Sequence, residues 1–116
     1  IRDREYLLEH PAEFARELLM AYISQNSLTA ILFSGSQANH FADSIERSIK
    51  QMIFEKYPEF EEDTAMNVML SFCIQGSYHA YQKNRSGDIM TVIDVIAGMT
   101  GAVRPMYEER LGESRS

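Results

Sequence analysis

Cys73, the one cysteine of the chain, and the three histidines His10, His40 and His79 are the side chains with the most specific chemistry. A nucleophilic thiol needs a base or a cation beside it to lower its pKa. Cys73 and His79 fall on one helical segment but about 120° apart around it, so they form no dyad. Cys73 reads as a buried structural residue in an apolar arc. His40 with Asp43, three residues further on, has helical spacing, which is half of a metal site. A solvated helix start explains that pair equally, and no metal is expected. "FSGSQ" lacks the strand-to-helix turn and the acid and base partners of a nucleophile elbow. The stretch from Gly98 to Gly101 lies inside a helical pattern with no adjacent lysine, which rules out a phosphate cradle. No carboxylate pair is poised in an apolar setting. The expectation is a protein that is not an enzyme and carries no cofactor.

Other residues bear on binding. Met20, Met52, Met66 and Met69 all fall on apolar faces, and with Phe14, Tyr22, Phe33 and Phe72 they make an adaptable, aromatic-rich interior. Methionine also fills core gaps, so the same residues serve a plain core. As a ligand site they suit an apolar or aromatic molecule. The candidate contacts are Phe14, Leu18, Tyr22, Phe33, Met52, Met69 and Phe72. Asn67, Ser71 and Gln75 form a narrow polar line that reads as a solvent edge, a hydrogen-bonding rail at a subunit seam, or polar groups orienting a ligand. Asp94, on an otherwise apolar helix, needs water or a partner, for which Arg104 or Lys83 of either subunit could serve.

Every periodic segment that would position these residues is helical. Pro11 suits the first turn of a helix running to about Gln25, with Phe14, Leu18 and Tyr22 in line. Asn26 and Ser27 break it, and Leu28 to Phe33 is a short apolar stretch closed by Gly35. Asn39 is a candidate cap for a helix striped by Phe41, Ile45, Ile49, Met52 and Ile53, which ends before Pro58. Glu61, Glu62 and Asp63 load the first turn of a fourth helix reaching about Asn84. After the turn "NRSGD", capped by Ser86 or Asp88, a last helix runs to Pro105 or, with a kink, to Leu111.

The last two helices are apolar over more than one face. On "DIMTVIDVIAGMTGAV", Ile89, Ile93, Ile96 and Val103 follow one side and Met90, Val92, Val95 and Met99 another. Two such helices cannot both be covered inside one small domain. Pairing with their symmetry copies in an intermolecular four-helix bundle would cover both. Small residues let helices approach closely, and the candidate interface is Ile74, Gly76, Tyr78, Tyr81, Met90, Ile93, Ala97 and Gly101. The fold expected is an all-α bundle of about five helices that forms a homodimer.

Bulk properties narrow the class. With 116 residues there is room for one domain, residues 1–116. Apolar residues at 45% against 24% charged argue for a packed fold over disorder. A net charge of −6 argues against binding a nucleic-acid backbone directly. One cysteine excludes an internal disulfide and fits a reducing, cytoplasmic setting. The charged opening "IRDRE" is no signal peptide, and Asp94 interrupts the most apolar stretch, so no membrane association is expected. The first residue, Ile1, suggests that a segment precedes it.

"MLSFCIQGSYHAYQKNRSGDIMTVIDVI" and, upstream, "HPAEFARELLMAYISQNSLTAILFS" resemble the C-terminal domain of TetR-family transcriptional regulators. The likeness is one of pattern: an apolar helix with a central glycine and a late aromatic (Gly76, Tyr81), a polar turn, then an amphipathic helix opening on an acidic residue, Asp88. The resemblance implies a ligand-sensing and dimerisation domain with a pocket in each subunit. It also implies a helix-turn-helix DNA-binding domain ahead of Ile1, with the segment 1–10 as the connecting helix, displaced when ligand binds. The alternative is a dimeric helical adaptor that binds protein and no small molecule.

Overall fold

Two aspartates mark where the longest apolar segments begin. Asp63 Oδ1 accepts from the Met66 backbone N–H at 3.3 Å, and Asp88 accepts from the Met90 N–H at 3.2 Å and the Thr91 hydroxyl at 2.9 Å. Each satisfies a donor that the first helical turn leaves open. The Thr91 hydroxyl, and behind it the backbone N–H bonds, hold the Asp88 carboxyl below its ordinary pKa.

The structure is a computed structural model. It describes the backbone of residues 6–32 and 36–115, and the side chains of 6–23 and 40–113. The helices are α1 (Tyr6–Glu9), α2 (Pro11–Leu32), α3 (Ser36–Lys56), α4 (Thr64–Asn84), α5 (Ile89–Gly101) and α6 (Arg104–Arg115), with a 3-10 turn at Pro58–Glu62. No strand occurs among the described residues. The fold is an all-α bundle of five substantial helices, introduced by the single turn of α1.

Several boundaries differ from the sequence expectation. Asn26 and Ser27 do not end α2, which continues to Leu32, and α3 starts at Ser36 rather than Asn39. Weak helix formers cost only tenths of a kcal/mol each, which propagation of an existing helix overrides. Glu61 and Glu62 belong to the 3-10 turn, leaving Asp63 as the cap of α4. The last helix is divided at Ala102 and Val103, and Pro105 takes the first turn of α6, where its missing N–H has no partner to lose. By length and composition alone Ile89–Glu113 would suffice to cross a membrane. The division leaves pieces of about 20 Å and 18 Å at helical rise. Their Ile93, Ile96, Ala97, Tyr107 and Leu111 are buried against protein.

α4 and α5 form an antiparallel hairpin, with α2 on α5 and α3 on α4 and the 3-10 turn. α1 packs on α2 and α6. The α2–α5 crossing is close: a Cβ added at Gly101 would lie 2.8 Å from Ala12 Cβ. The α3–α4 contact is polar along one edge. Ser71 accepts from Lys50 Nζ at 2.8 Å and donates to Glu46 at 2.7 Å, and Gln75 Nε2 donates to Asp43 at 2.8 Å and Glu46 at 2.9 Å. Asn67 Nδ2 reaches back to the carbonyls of Phe60, Glu61 and Asp63. The polar line of α4 therefore ties α3 and the 3-10 turn to α4, a role none of the three sequence readings assigned it. Asp94 pairs with Arg16 at 2.6 Å rather than with Lys83 or Arg104. Arg104 pairs with Glu108 in its own helix.

Apolar side chains gather in two clusters. One joins Leu7, Leu8, Ile49, Ile53, Tyr57, Phe60, Met66, Met69, Leu70, Tyr107 and Leu111. The other joins Leu19, Tyr81, Ile93 and Ile96.

These contacts generate two expectations. Gly101→Ala should lower unfolding free energy by about 1–3 kcal/mol through overpacking. Gly112→Ala, where an added Cβ meets nothing within 4 Å, should raise it by roughly 0.5–1 kcal/mol. Urea titration that gives both substitutions the same sign refutes the crossing.

Glu46 concerns pH. Burial alone would raise its pKa, but hydrogen bonds from Lys50, Gln75 and Ser71, with the Lys50 charge, bring it below the ordinary 4.5. A depressed folded pKa means stabilisation present above the ordinary value and lost as pH falls through the folded one. Glu46→Ala should cost about 1–3 kcal/mol at neutral pH. Denaturation at stepwise lower pH should show that difference shrinking; a gap that persists in acid would mean the carboxylate charge is not its source.

Candidate ligand cavity

Between the two clusters the side chains leave a space. It measures about 320 Å³ and is lined by α1, α2, α3, α4, α5 and α6 residues, among them Leu7, Phe14, Leu18, Leu19, Tyr22, Phe41, Ile45, Leu70, Ile74, Tyr78 and Tyr107. Its existence follows from the connectivity of the packing. α2 is drawn to α5 and α3 to α4, while α2 and α3 make few contacts with each other among the described residues. On that side the cavity opens toward a groove that shares Phe14, Leu18, Phe41, Ile45 and Ile49 and adds Glu17, Ser44, Ser48 and Met52.

The wall is apolar except at three places. Ser77 and Thr100 face each other, hydroxyl to hydroxyl, at 3.4 Å. The Tyr107 hydroxyl hydrogen-bonds the Cys73 thiol; burial first, and each group's effect on the other second, raise the Tyr107 pKa, and burial raises that of Cys73. A thiol held protonated is no nucleophile at neutral pH. Among the described residues the wall holds no carboxylate, histidine, lysine or arginine. The third place is the aromatic end. Tyr22, Phe41 and Tyr78 form a triangle with ring centroids 5.4, 5.6 and 6.1 Å apart, and Tyr81 meets Tyr22 edge-on at 5.5 Å. Gln82 Nε2 donates to the Tyr78 oxygen at 2.8 Å and to the Tyr22 oxygen at 3.2 Å. Burial, then the hydrogen bond to Tyr22, pushes the Tyr78 hydroxyl up to about 12.

Of the residues expected to meet a ligand, the structure brings Phe14, Leu18 and Tyr22 to the cavity and Met52 to the groove outside it. Met69 does not line the cavity; it is buried in the larger cluster. Phe72 is 76% exposed and points away from the interior. It sits about 200° around α4 from Leu70, on the opposite side from the core. Phe33 lies outside the described residues. Phe41, Ile45 and Tyr78 are wall residues that sequence reading left out of the set, although Phe41 and Ile45 share the α3 stripe with Met52.

The expected subunit-interface residues divide in the same way. Tyr81, Ile93 and Ala97 are buried within the chain, Gly101 meets Ala12, and Ile74 and Tyr78 line the cavity. Only Gly76 and Met90 face outward. Apolar surface is also left uncovered on the other side of the hairpin. Val68 and Phe72 of α4 are exposed there, as are Val95 and Met99 of α5 and Met106 of α6. The Ser77–Thr100 contact sets the antiparallel register of α4 against α5. Cys73 faces inward and His79 outward, so the thiol has no basic neighbour on its own helix. The His40 and Asp43 pair is not extended: among the described residues no three metal-ligating side chains gather.

No family model, curated protein or solved structure matches this chain.

The tyrosines make a pH expectation. Tyr78, Tyr81 and Tyr107 all have folded pKa values above the ordinary 10.0. Their neutral forms stabilise the fold in full below that value, and the contribution is lost as pH rises through the folded pKa. Thermal midpoints should therefore decline from about pH 10 toward pH 12, with Tyr78→Phe flattening part of the slope. Tyrosinate absorbance that rises in full at pH 10, while the protein remains folded, would contradict the buried cluster.

Proposed function

We propose that this chain is the ligand-sensing and dimerisation domain of a transcriptional regulator resembling the TetR family. In this reading, occupancy of the cavity is passed to a DNA-binding domain that precedes Ile1. The observation that carries it is the 320 Å³ cavity between two well-packed clusters. Apolar side chains that line an unfilled space lose packing contacts that a bound apolar molecule would restore. Packing that leaves such a space unfilled is economical when a ligand fills it.

Two further features support the reading. Leu7 and Pro11 belong to the cavity wall, so an occupant touches the segment that would lead to the reading head. The uncovered apolar side of α4 and α5 offers a surface for pairing two hairpins into a four-helix bundle. A dimeric adaptor without a small ligand would use that surface alone and gives the cavity no purpose. DNA contact would come only through the preceding domain, in keeping with the acidic charge of this one.

Sedimentation velocity at micromolar concentration should show a dimer, and Phe72→Glu combined with Met99→Glu should give a monomer that keeps its helical circular dichroism. A native chain that is monomeric and fully helical, or a gene lacking a basic helix-turn-helix segment upstream of Ile1, overturns the proposal.

A further inference from the structure

We infer that the outer face of the hairpin takes a second copy of this chain with its α4 antiparallel to the first, the two crossing at Phe72. Glu61 and Glu62 then meet the partner's Lys83 and the partner's Arg85. This rests on the reading of that face as the dimer surface and specifies the orientation and register of the pair.

The exposed side of α4 is one stripe. Thr64, Val68, Phe72, Gly76, His79 and Lys83 are all exposed, and at 3.6 residues per turn they fall within about 120° of the circumference. An open furrow follows the first half of this stripe, from Glu61 and Glu62 at one end to Phe72 and Gln75 at the other. One turn beyond Phe72 the stripe has bare backbone. A Cβ added at Gly76 would meet nothing within 4 Å. An exposed glycine inside a helix costs stability relative to alanine, and the space it leaves suits a bulky side chain from outside.

Charge gives the stripe a direction. It is acidic at the start, with Glu61 and Glu62, apolar in the middle, and basic at the end, with Lys83 and Arg85. All four are exposed, and none forms an ion pair among the described residues. A copy laid parallel would set acid against acid and base against base. A copy laid antiparallel sets opposite charges together at both ends, because a two-fold axis makes each contact twice. Exposed ion pairs add little affinity. The apolar middle supplies the affinity, and the charged ends choose the orientation. α5 does not compete for that choice. Its one charged residue, Asp94, is already paired with Arg16.

The register follows from the midpoint. Phe72 lies midway between Glu61 and Lys83 in the sequence, so the axis passes there and each Phe72 meets the partner's Phe72. Antiparallel pairing about that point sets Val68 opposite the partner's Gly76. A large exposed side chain then faces the bare turn, as a knob faces a hole. The charge pattern and the fit at Gly76 select the same register independently.

Two charge-reversal variants test the orientation by sedimentation equilibrium at low salt: Glu61→Lys with Glu62→Lys, and Lys83→Glu with Arg85→Glu. Each should dimerise about tenfold more weakly than wild type, and an equimolar mixture should recover the wild-type affinity as a heterodimer. Circular dichroism verifies the fold of each. Cysteine cross-linking in a Cys73→Ala background tests the register. Val68→Cys and Gly76→Cys should each stay unlinked alone under mild oxidation and join when mixed, while Phe72→Cys should link to its own copy. If Val68→Cys links to itself, if the reversed variants associate as wild type does, or if mixing restores nothing, the antiparallel register is wrong while the dimer stands. If wild type sediments as a folded monomer, the proposed function falls and the register with it.

Discussion

A methyl group at Gly101 would sit 2.8 Å from Ala12 Cβ, so α2 and α5 cross at backbone contact. That crossing fixes where α2 can be. With α2 held on α5, and α3 held on α4 by the Glu46, Lys50, Ser71 and Gln75 network, the two outer helices are kept from closing on each other. The hairpin beneath them is wider than either, and what lies between them above its seam is the cavity. Larger residues at Gly101 or Ala12 would lift α2 and change the shape of that space. Removing the Glu46 network would let α3 lean into it. The cavity is thus a consequence of two kinds of contact, one steric and one polar, at opposite edges of the same hairpin.

Fold class and most helices were legible because apolar periodicity and capping chemistry are local. Ser86 and Asp88 were the two cap candidates, of which Asp88 is the cap, and Pro58 and Pro105 were recognised as interruptions, from backbone restrictions that need no tertiary information. What could not be read was which of two apolar stripes on a helix faces its own chain. On α5 the stripe of Ile93, Ile96 and Ala97 and the stripe of Val95 and Met99 differ little in hydropathy. Packing on Ala12 and Leu19 of α2, far away in sequence, decides between them. Phe72 was placed inside as part of a broad apolar arc with an aromatic cluster, yet Leu70 and Ile74 define the inner arc of α4 and leave Phe72 on the far side. The polar line Asn67, Ser71 and Gln75 was visible as a line, but its partners Asp43, Glu46 and Lys50 are all on another helix.

The candidate site was legible in part for the same reason. Phe14, Leu18 and Tyr22 form a single i, i+4, i+8 line, and a line on one helix is a local signal. Gln82 was visible only as a polar residue on α4, and its bond to Tyr22 crosses sixty positions of sequence. Partnerships between a polar side chain and an aromatic hydroxyl leave no periodic trace.

The two sides of the hairpin are not independent. Ser77 and Thr100 line the cavity and lie in the same helical turns as Gly76 and Met99, which face outward. A change in the spacing of α4 and α5 at the Ser77–Thr100 contact therefore alters the cavity floor and the outer apolar surface together. If a second copy covers that surface, as proposed, the hairpin becomes the fixed element and the strain of ligand binding must be taken up elsewhere. Among the described residues α2 and α3 make few contacts with each other, and α1, whose Leu7 reaches the cavity, packs on α2 and α6. In the proposed sensor, α1 in the cavity wall and a seam shared with the outer surface are the contacts through which an occupant would favour one of two arrangements. The same distribution follows from where Gly101 and Glu46 have placed their helices.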